Sequence, residues 1–275
     1  MDKKLATIIL TYNSEKTINK VISAAKKLSK NIIILDSFSN DKTTSIAKKH
    51  NCKIIKRKFI NYSHQRNFII KKYNSIFEWQ LHLDSDEIIS NKLFKNIKKI
   101  IKENDKSFNY MMKRQVYFLN KKLRFGAASN WHLRLFRSKT AYCENKKYDQ
   151  HFVSKIYTKK IDGLLLDKND KNLNQWIQTH NNWSYLASKE NKNSNYHLIK
   201  ANLFGNNIER NRYFKNIILK LPIGFKGFIL FFIKYFIFLG FLDGKVGFIY
   251  CFLNSFWFHT LVDAKKYESK TKRDK

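Results

Sequence analysis

The chain is short of acidic residues, of proline and of cysteine. Among its 275 residues there are 21 Asp and Glu against 54 Lys and Arg, a formal net charge of +33. Such an imbalance implies attraction to polyanions: nucleic acid, anionic lipid headgroups or sugar phosphates. The lysines are spread along the chain rather than gathered in one block, so part of the excess is general over-use of Lys and Asn. The single proline is Pro222, and no Gly/Ser- or Pro-rich stretch is present, which excludes a flexible hinge of those compositions. Cys52, Cys143 and Cys251 are widely spaced, odd in number and without metal-site spacing. They exclude a disulfide framework and predict a reducing compartment. No G-x-G-x-x-G or G-x-x-x-x-G-K-[ST] follows any strand-like run, so a dinucleotide fold or P-loop is excluded, and bound phosphates have to be held by a metal and by side chains. Met1-Asp2-Lys3-Lys4 leads into an apolar run of only Leu5 to Leu10, too short for an export signal or a span. The catalytic part is therefore expected in the cytoplasm.

What is present is a series of apolar runs that end in polar, chemically capable residues. Leu5 to Leu10 and Asn31 to Asp36 read as buried strands, Cys52 to Lys56 as a third, short strand and Trp79 to Asp84 as a fourth. Between them lie helical patterns. Ile18, Val21, Ile22 and Ala25 recur at helical spacing after a cap at Asn13 or Ser14, with Glu15 favouring the first turn. Asp41 can cap a second helix running to about His50, and Ser63 to Tyr73 reads as a third. Alternation of this kind predicts an α/β fold with a mostly parallel central sheet and flanking helices. In such sheets ligands bind beyond the carboxyl ends of the strands, and Thr11-Tyr12-Asn13, Asp36 and Asp84/Asp86 all lie there. Leu81-His82-Leu83-Asp84-Ser85-Asp86-Glu87 carries the most chemistry. Asp84 and Asp86 are two apart, so both can converge beyond the strand end. Converging carboxylates repel unless a cation neutralises them, and hard oxygens of this kind suit Mg²⁺ or Mn²⁺ completed by substrate phosphates.

Plainer readings stand beside these. Asp36 can simply organise the turn that follows it, Asp84 and Asp86 can be solvated, and Gln65-Arg66-Asn67 can be a solvated helix face. His82, inside a strand, reads as a core histidine or one that supports the site, and His64 carries no role. His132 and Arg134 alternate with Trp131, Leu133 and Leu135, a strand with one polar face from which Arg134 or Arg137 can reach a diphosphate. His151 can orient a base or serve structure. Trp176 and Trp183 share a helix face, which usually means core.

Taken together, Thr11-Tyr12-Asn13-Ser14-Glu15, Asp36-Ser37-Phe38-Ser39-Asn40-Asp41-Lys42-Thr43, Gln65-Arg66-Asn67 and Leu83-Asp84-Ser85-Asp86-Glu87 resemble the family 2 inverting glycosyltransferases of the GT-A fold. Leu133-Arg134-Leu135-Phe136-Arg137, Tyr148-Asp149-Gln150-His151-Phe152-Val153, His180-Asn181-Asn182-Trp183 and Leu239-Gly240-Phe241-Leu242-Asp243-Gly244-Lys245 look like the bacterial subgroup that builds lipopolysaccharide core, O-antigen or exopolysaccharide. The resemblance implies that Thr11 and Asn13 line a nucleotide pocket, joined by Tyr12, Glu15 and Ser85 in the same runs. It implies that Asp36 accepts a hydrogen bond from the base, typically uracil, and that Gln65, Arg66 and Asn67 sit near the nucleotide. Asp84 would contact the ribose or the metal's water shell, and Asp86 would bind Mg²⁺ or Mn²⁺ directly; both are the candidate metal residues. Family members commonly carry the acceptor's base in a Glu-Asp pair well after the D-x-D. This chain has none, which leaves Asp149 as the candidate base and Glu144 second.

The last quarter is unlike the rest. From Ile223 to Leu242 the chain is apolar and rich in Phe, interrupted by Lys226 and Lys234. A second uncharged run, Val246 to Val262, carries Asn254, Ser255 and His259. The first run is about long enough to span a bilayer, but a lysine near its centre costs roughly 2.5–3.5 kcal/mol on insertion scales. Lys226 and Lys234 lie about 80° apart on a helical wheel and can face headgroups together. Amphipathic or hydrophobic helices lying in the membrane interface are expected, anchored by Phe, Trp257 and flanking lysines. A re-entrant hairpin and a buried helical pair are the other readings. Lys215, Lys220, Lys265 and Lys266 keep both ends on the cytoplasmic side, and the basic tail, Lys265 to Lys275, adds attraction to anionic lipid.

The expected organisation is a GT-A catalytic domain over residues 1–200 and a membrane-associating helical region over 201–275. The expected protein is a metal-dependent glycosyltransferase, peripheral or monotopic on the cytoplasmic side of the inner membrane. It would move a sugar from a nucleotide donor, a UDP-sugar by resemblance, to a lipid-linked glycan. Transfer to a polyprenyl phosphate is the alternative enzyme. A non-catalytic basic membrane-binding module is the alternative of another class. No nucleic acid is expected as partner, because no nucleic-acid motif or aromatic-basic platform accompanies the charge.

Overall fold

The structure, a computed structural model, describes residues 4–126, 129–190, 201–205, 207–218 and 220–272. The sequence-based boundary after residue 200, residues 273–275 of the basic tail and the side chain of Lys215 lie outside the described residues. The chain forms two compact units. The first comprises Met1–Lys122, Ser129–Asn145 and Gln150–Asp170, and the second Leu123–Ala128, Lys146–Asp149 and Lys171–Lys275.

The first unit opens as expected. Strands β1 (Leu5–Thr11), β2 (Asn31–Asp36), β3 (Lys53–Lys56) and β4 (Trp79–Asp84) alternate with helices α1 (Ile18–Lys26), α2 (Thr43–Lys49) and α3 (Tyr62–Tyr73). They pair in parallel in the order β3-β2-β1-β4. Both faces of these strands are apolar because both are covered. Leu5, Ile9, Ile32 and Ile34 pack with Ile18, Val21 and Ile22 of α1 on one face. Ala6, Ile8, Ile33 and Leu35 pack with Ile69 and Tyr73 of α3 on the other. The outermost strand, β3, is only Lys-Ile-Ile-Lys, with both lysines exposed.

Beyond β4 the sheet changes character. The remaining strands are β5 (Glu87–Ile89), β6 (Phe108–Phe118), β7 (Lys121–Lys122), β8 (Ser129–Arg137), β9 (Ala141–Cys143), β10 (Phe152–Ser154) and β11 (Tyr157–Asp167), with α4 (Asn91–Glu103) after β5. Among the described residues, β4 pairs antiparallel with β8, β8 with β6, and β11 runs parallel to β6 and antiparallel to β5. The central sheet is therefore mixed, and the mostly parallel sheet expected from the first half holds only through β4. The reason is connectivity. After β4 a two-residue turn leads directly into β5 with no crossover helix; β5 pairs antiparallel with β11 at the far edge, and the place beside β4 is taken by β8, which runs antiparallel to it.

Helix α4 is fitted into this mixed half at one glycine. Ser90 caps it, its hydroxyl accepting the Leu93 N–H at 3.4 Å and the Leu164 N–H at 3.0 Å. At that crossing β11 bulges between Ile161 and Leu164, and Gly163 takes φ +111°. A Cβ there would lie 2.4 Å from the Leu93 nitrogen.

The second unit is helical: α5 (Leu173–Ser188), α6 (Asn207–Ile218), α7 (Phe225–Phe232), α8 (Gly244–Cys251) and α9 (Phe258–Thr271). π-turns at Ile233–Ile237 and Phe252–Trp257 and a 3₁₀ turn at Gly240–Asp243 join the last three. Helix α5 begins with a capping box, in which Asn172 and Gln175 satisfy each other's backbone amides. It packs on α9 through Lys265, whose ammonium donates to the Asn181 carbonyl and the Ser184 hydroxyl, each at 2.7 Å. Lys265 is thus spent inside the unit rather than on lipid.

His180 lies between the indoles of this helix, its ring centroid 3.4 Å from that of Trp176. Burial pulls its pKa down from 6.5 to about 4, against the hydrogen bond that its Nδ1 donates to the Trp176 carbonyl. A depressed histidine contributes stability that is complete above its unfolded pKa and is lost as pH falls toward the folded value, because the unfolded chain then binds the extra proton. Denaturant melts followed by tryptophan fluorescence should therefore show a lower midpoint at pH 5 than at pH 7. His180→Gln should flatten that difference.

Candidate active site

Three loops at the carboxyl ends of β1, β2 and β4 are laced into one surface. The β1–α1 and β2–α2 loops exchange hydrogen bonds over their whole length. The Asn13 N–H donates to the Ser39 hydroxyl at 2.9 Å, the Asn40 N–H to Asn13 Oδ1 at 2.9 Å, the Glu15 N–H to Asp41 at 3.0 Å and the Lys42 N–H to Glu15 Oε2 at 3.1 Å. The third loop joins through Ser14, whose hydroxyl donates to that of Ser85 at 2.8 Å. The site residues expected on these loops are thus brought together, and Glu15 and Ser85 serve as links between loops. Glu15 lies before α1, whose first turn holds no acid. Asn13 adopts φ +46° and Phe38 φ +62°, conformations suited to a tight loop but uncommon outside glycine. Tyr12 and Phe38 are the exposed aromatic residues on this surface.

Asp36 faces inward. It is fully buried, and its carboxylate accepts from the Thr11 hydroxyl at 3.1 Å, the Ser39 N–H at 3.0 Å and the Ser39 hydroxyl at 2.5 Å. In this structure Asp36 organises the turn that follows it, with the Thr11 hydroxyl and both donors of Ser39 on its carboxylate.

Asp84 is also claimed within the chain. Arg66 bonds its Oδ1, and Arg134 Nη2 donates to its Oδ2 at 2.7 Å and to Glu87 Oε1 at 2.6 Å. The second Glu87 oxygen accepts the Asp84 N–H at 2.9 Å. Both arginines and Glu87 are buried, while the Asp84 side chain keeps 38% exposure. Burial by itself would raise the Asp84 carboxyl, but the guanidiniums of Arg134 and Arg66 outweigh it and hold the group far below the usual carboxylate range. Glu87 goes the other way. Burial pushes it above its ordinary value despite Arg134, and the charge of Asp84 adds to the rise. His82 closes the network beneath. Its Nδ1 accepts from Arg66 at 3.4 Å, so Nε2 carries the proton and donates to Gln80 at 3.1 Å. Burial and the two guanidiniums keep that imidazole neutral, well below 6.5.

This network alters the metal assignment drawn from the sequence. The cations that neutralise Asp84 are two guanidiniums, so Asp84 is not set up as the direct ligand that the D-x-D spacing suggested. Among the described residues no three His, Cys, Asp or Glu side chains are disposed to hold an ion. Asp86 is the half-buried carboxylate next on the same turn, whose carbonyl accepts the Lys168 N–H at 3.0 Å. A single hard carboxylate at a strand end fits Mg²⁺ or Mn²⁺, ions that are held by one or two carboxylates and completed by substrate phosphates.

The remaining expected residues divide. Gln65 is fully buried and donates to the Ser37 hydroxyl and the Arg57 carbonyl. Asn67 pairs with the Cys143 backbone in both directions, each bond 2.8 Å, as a strand neighbour would. Both place loops. Arg134 and Arg137 are not turned to a diphosphate: Arg137 bonds the Asn104 carbonyl at 2.7 Å and lies 4.5 Å over the Trp79 ring. Glu144 is buried, and its Oε2 accepts the His151 N–H at 3.0 Å, clasping the turn between β9 and β10. Asp149 belongs to the second unit, at φ +53°. There the Lys147 and Tyr148 amides both donate to Glu190 Oε2 at 3.1 Å, fixing the backbone that carries it.

Two residues escaped the sequence reading. Glu87 follows the D-x-D and looks like a third solvated acid, but its burial depends on Arg134, which lies 47 positions away. Arg114 sits on β6, paired with Asp167 at 3.6 Å and partly exposed, close enough to act on Asp84, Glu87 and His132. Its signal is the Lys113-Arg114-Gln115 break between Tyr110-Met111-Met112 and Val116-Tyr117-Phe118.

Comparison with known proteins places the chain in a family. The Glycosyl transferase family 2 profile matches residues 7–165, more than half of the chain. An uncharacterized glycosyltransferase of Rickettsia typhi is 27% identical over 202 residues, covering 68% of each chain. Another, from Rickettsia conorii, is 27% identical over 165 residues, covering 59% of this chain and 58% of the relative. Among solved structures, S. aureus TarS 1-349 aligns over 97% of this chain and 92% of its own, at 15% identity and a TM-score of 0.46. With its parallel β3-β2-β1-β4 core and its strand-end loops inside the matched span, the chain belongs to glycosyl transferase family 2.

Proposed function

We propose that the protein transfers a sugar, with inversion, from a nucleoside diphosphate donor to a lipid-linked glycan of lipopolysaccharide, O-antigen or exopolysaccharide, at the cytoplasmic face of the inner membrane. The observation that carries the donor half of this reading is the fixed Asp84-Ser85-Asp86 turn. Arg66 and Arg134 hold Asp84 from below and Ser14 holds Ser85 from the side, which leaves the turn preorganised at the sheet edge where ligands bind. Asp86 would hold Mg²⁺ or Mn²⁺. When bound, the metal neutralises the charge that develops on the departing diphosphate.

The chain's own residues supply the rest. Tyr12 offers an exposed ring beside which a base can stack, and UDP is the proposed nucleotide. Arg114 adds positive charge close to Asp84. One base is enough for an inverting transfer, because only the acceptor hydroxyl loses a proton. Asp149 is the proposed base, since Glu144 is buried and holds backbone.

Calorimetry with UDP, with and without Mn²⁺, tests the donor site. Binding that requires Mn²⁺ is expected. Binding of GDP in place of UDP would change the donor, and binding of neither by folded protein would overturn the reading. Product analysis with polyprenyl phosphate and with a lipid-linked sugar separates the two acceptor classes. Asp149→Asn should lower transfer while leaving Mn²⁺-dependent UDP binding intact.

A further inference from the structure

The apolar run before Leu242 is interrupted by two lysines in the sequence, but in the folded second unit it is not interrupted at its surface. Lys226 is buried and its ammonium is bonded to Asp263 of α9. Lys234 donates to Asn254 at 2.8 Å. Neither lysine joins the outer face, which corrects the expectation that both face headgroups. What remains outside is a stripe. Phe225, Phe228, Phe232 and Phe236 follow at spacings of three, four and four, one side of a helix, and each is about half exposed or more. The stripe runs into a tip where Ile237, Phe238 and Leu242 are each at least half exposed.

We infer that this stripe and tip insert shallowly into an anionic lipid bilayer, with the helix pair lying along the surface rather than crossing. The inference deepens the membrane-side reading above and rests on it, while standing apart from the chemistry of the donor site. Three observations carry it. First, Phe225–Ile237 and Gly240–Thr271 meet at a bend of 73°, and among the described residues no single helix is long and apolar enough to cross a membrane. The first arm is about 20 Å long, short of the roughly 30 Å hydrocarbon layer. Second, the buried Lys226–Asp263 pair and the Lys234–Asn254 bond tie the arm to α9 and to the π-turn before it, so the apolar face is held outward by the fold rather than free to collapse. Third, charge selects the occupant. Lys220 and Lys245 are exposed on either side of the stripe and tip, and the chain carries +33. A second copy would bring the same charge to the contact, whereas an anionic bilayer attracts it while accepting the phenylalanines.

Flotation of the full chain with vesicles tests this. Wild type should float with phosphatidylcholine–phosphatidylglycerol vesicles, more weakly with phosphatidylcholine alone, and should keep part of its binding in high salt. The triple variant Phe236→Ser/Ile237→Ser/Leu242→Ser should bind the mixed vesicles about 30-fold less tightly, since each exchange removes a large apolar side chain from lipid. Lys220→Gln/Lys245→Gln should weaken the preference for phosphatidylglycerol and keep the salt-resistant part. The inference fails if wild type does not float, if the triple variant floats like wild type, or if sedimentation without lipid shows a dimer that the triple variant dissociates. Mn²⁺-dependent UDP binding should be unchanged in the triple variant. That separates loss of docking from failure of the nucleotide reading, and it checks that the first unit has folded.

Discussion

Asp86→Ala is expected to lower glycosyl transfer by about three orders of magnitude, roughly 4 kcal/mol of transition-state stabilisation, with little change in thermal midpoint. The activity loss follows from the division of labour on the D-x-D turn. Asp84 is committed to Arg66 and Arg134, so it cannot take over as ligand without stripping two buried guanidiniums of their partner. The small stability effect follows from what the substitution leaves. The backbone of residue 86 still accepts the Lys168 N–H, and Ser85 still meets Ser14. The informative readout is nucleotide binding rather than turnover alone: UDP affinity in Mn²⁺ should fall to its metal-free level in the variant. Full transfer by Asp86→Ala would remove Asp86 as the metal's ligand. Asp86→Asn tests charge at nearly constant shape and should behave like Ala.

Arg134→Met should be the opposite kind of variant, costing about 3–5 kcal/mol of stability because it leaves Glu87 without its cation inside the protein. Glu87 decides the size of the effect, since it is almost wholly buried and its Oε1 bond to Arg134 is removed. The loss should depend on pH, with a sign fixed by the direction of the Glu87 shift. Its carboxyl is already held above the ordinary value by burial, and without Arg134 it rises further. A carboxyl raised in the folded state contributes stability below its unfolded pKa and loses it as pH rises through the folded one. The deficit should therefore be smallest in mild acid and largest near neutrality. Glu87→Gln in the Arg134→Met background should recover part of the loss at pH 7. Equal melting of wild type and Arg134→Met across that range would show that the network adds nothing to stability.

The first half of the fold was legible because local pattern and tertiary outcome coincide there. Ile18, Val21, Ile22 and Ala25 announce a helix face and pack as one, and four apolar runs make four parallel strands. The second half was not, because antiparallel pairings such as Trp79 with Arg137 join residues far apart and leave no mark at either position. The site divides along the same line. That Thr11, Asp36 and Asp84 end neighbouring strands could be read from the sequence alone. What each residue does there could not. A buried aspartate that builds a turn and one that meets a ligand have the same neighbours in sequence, and only the donors from Ser39 and Thr11 distinguish them. Likewise the pairing of Lys226 with Asp263 spans 37 positions, and it reverses the meaning of a lysine in an apolar run.

One edge strand of the sheet, β3, has a consequence for how the folded chain meets other copies of itself. An unpaired strand edge is a template for further strands, and a run containing Ile54 and Ile55 at such an edge would favour polymerisation. β3 is four residues long and both of its ends are exposed lysines, so any added strand would have to bring its own backbone alongside two ammonium groups on a chain already strongly cationic. The two lysines of β3 thus guard that edge of the sheet against growing into a fibre.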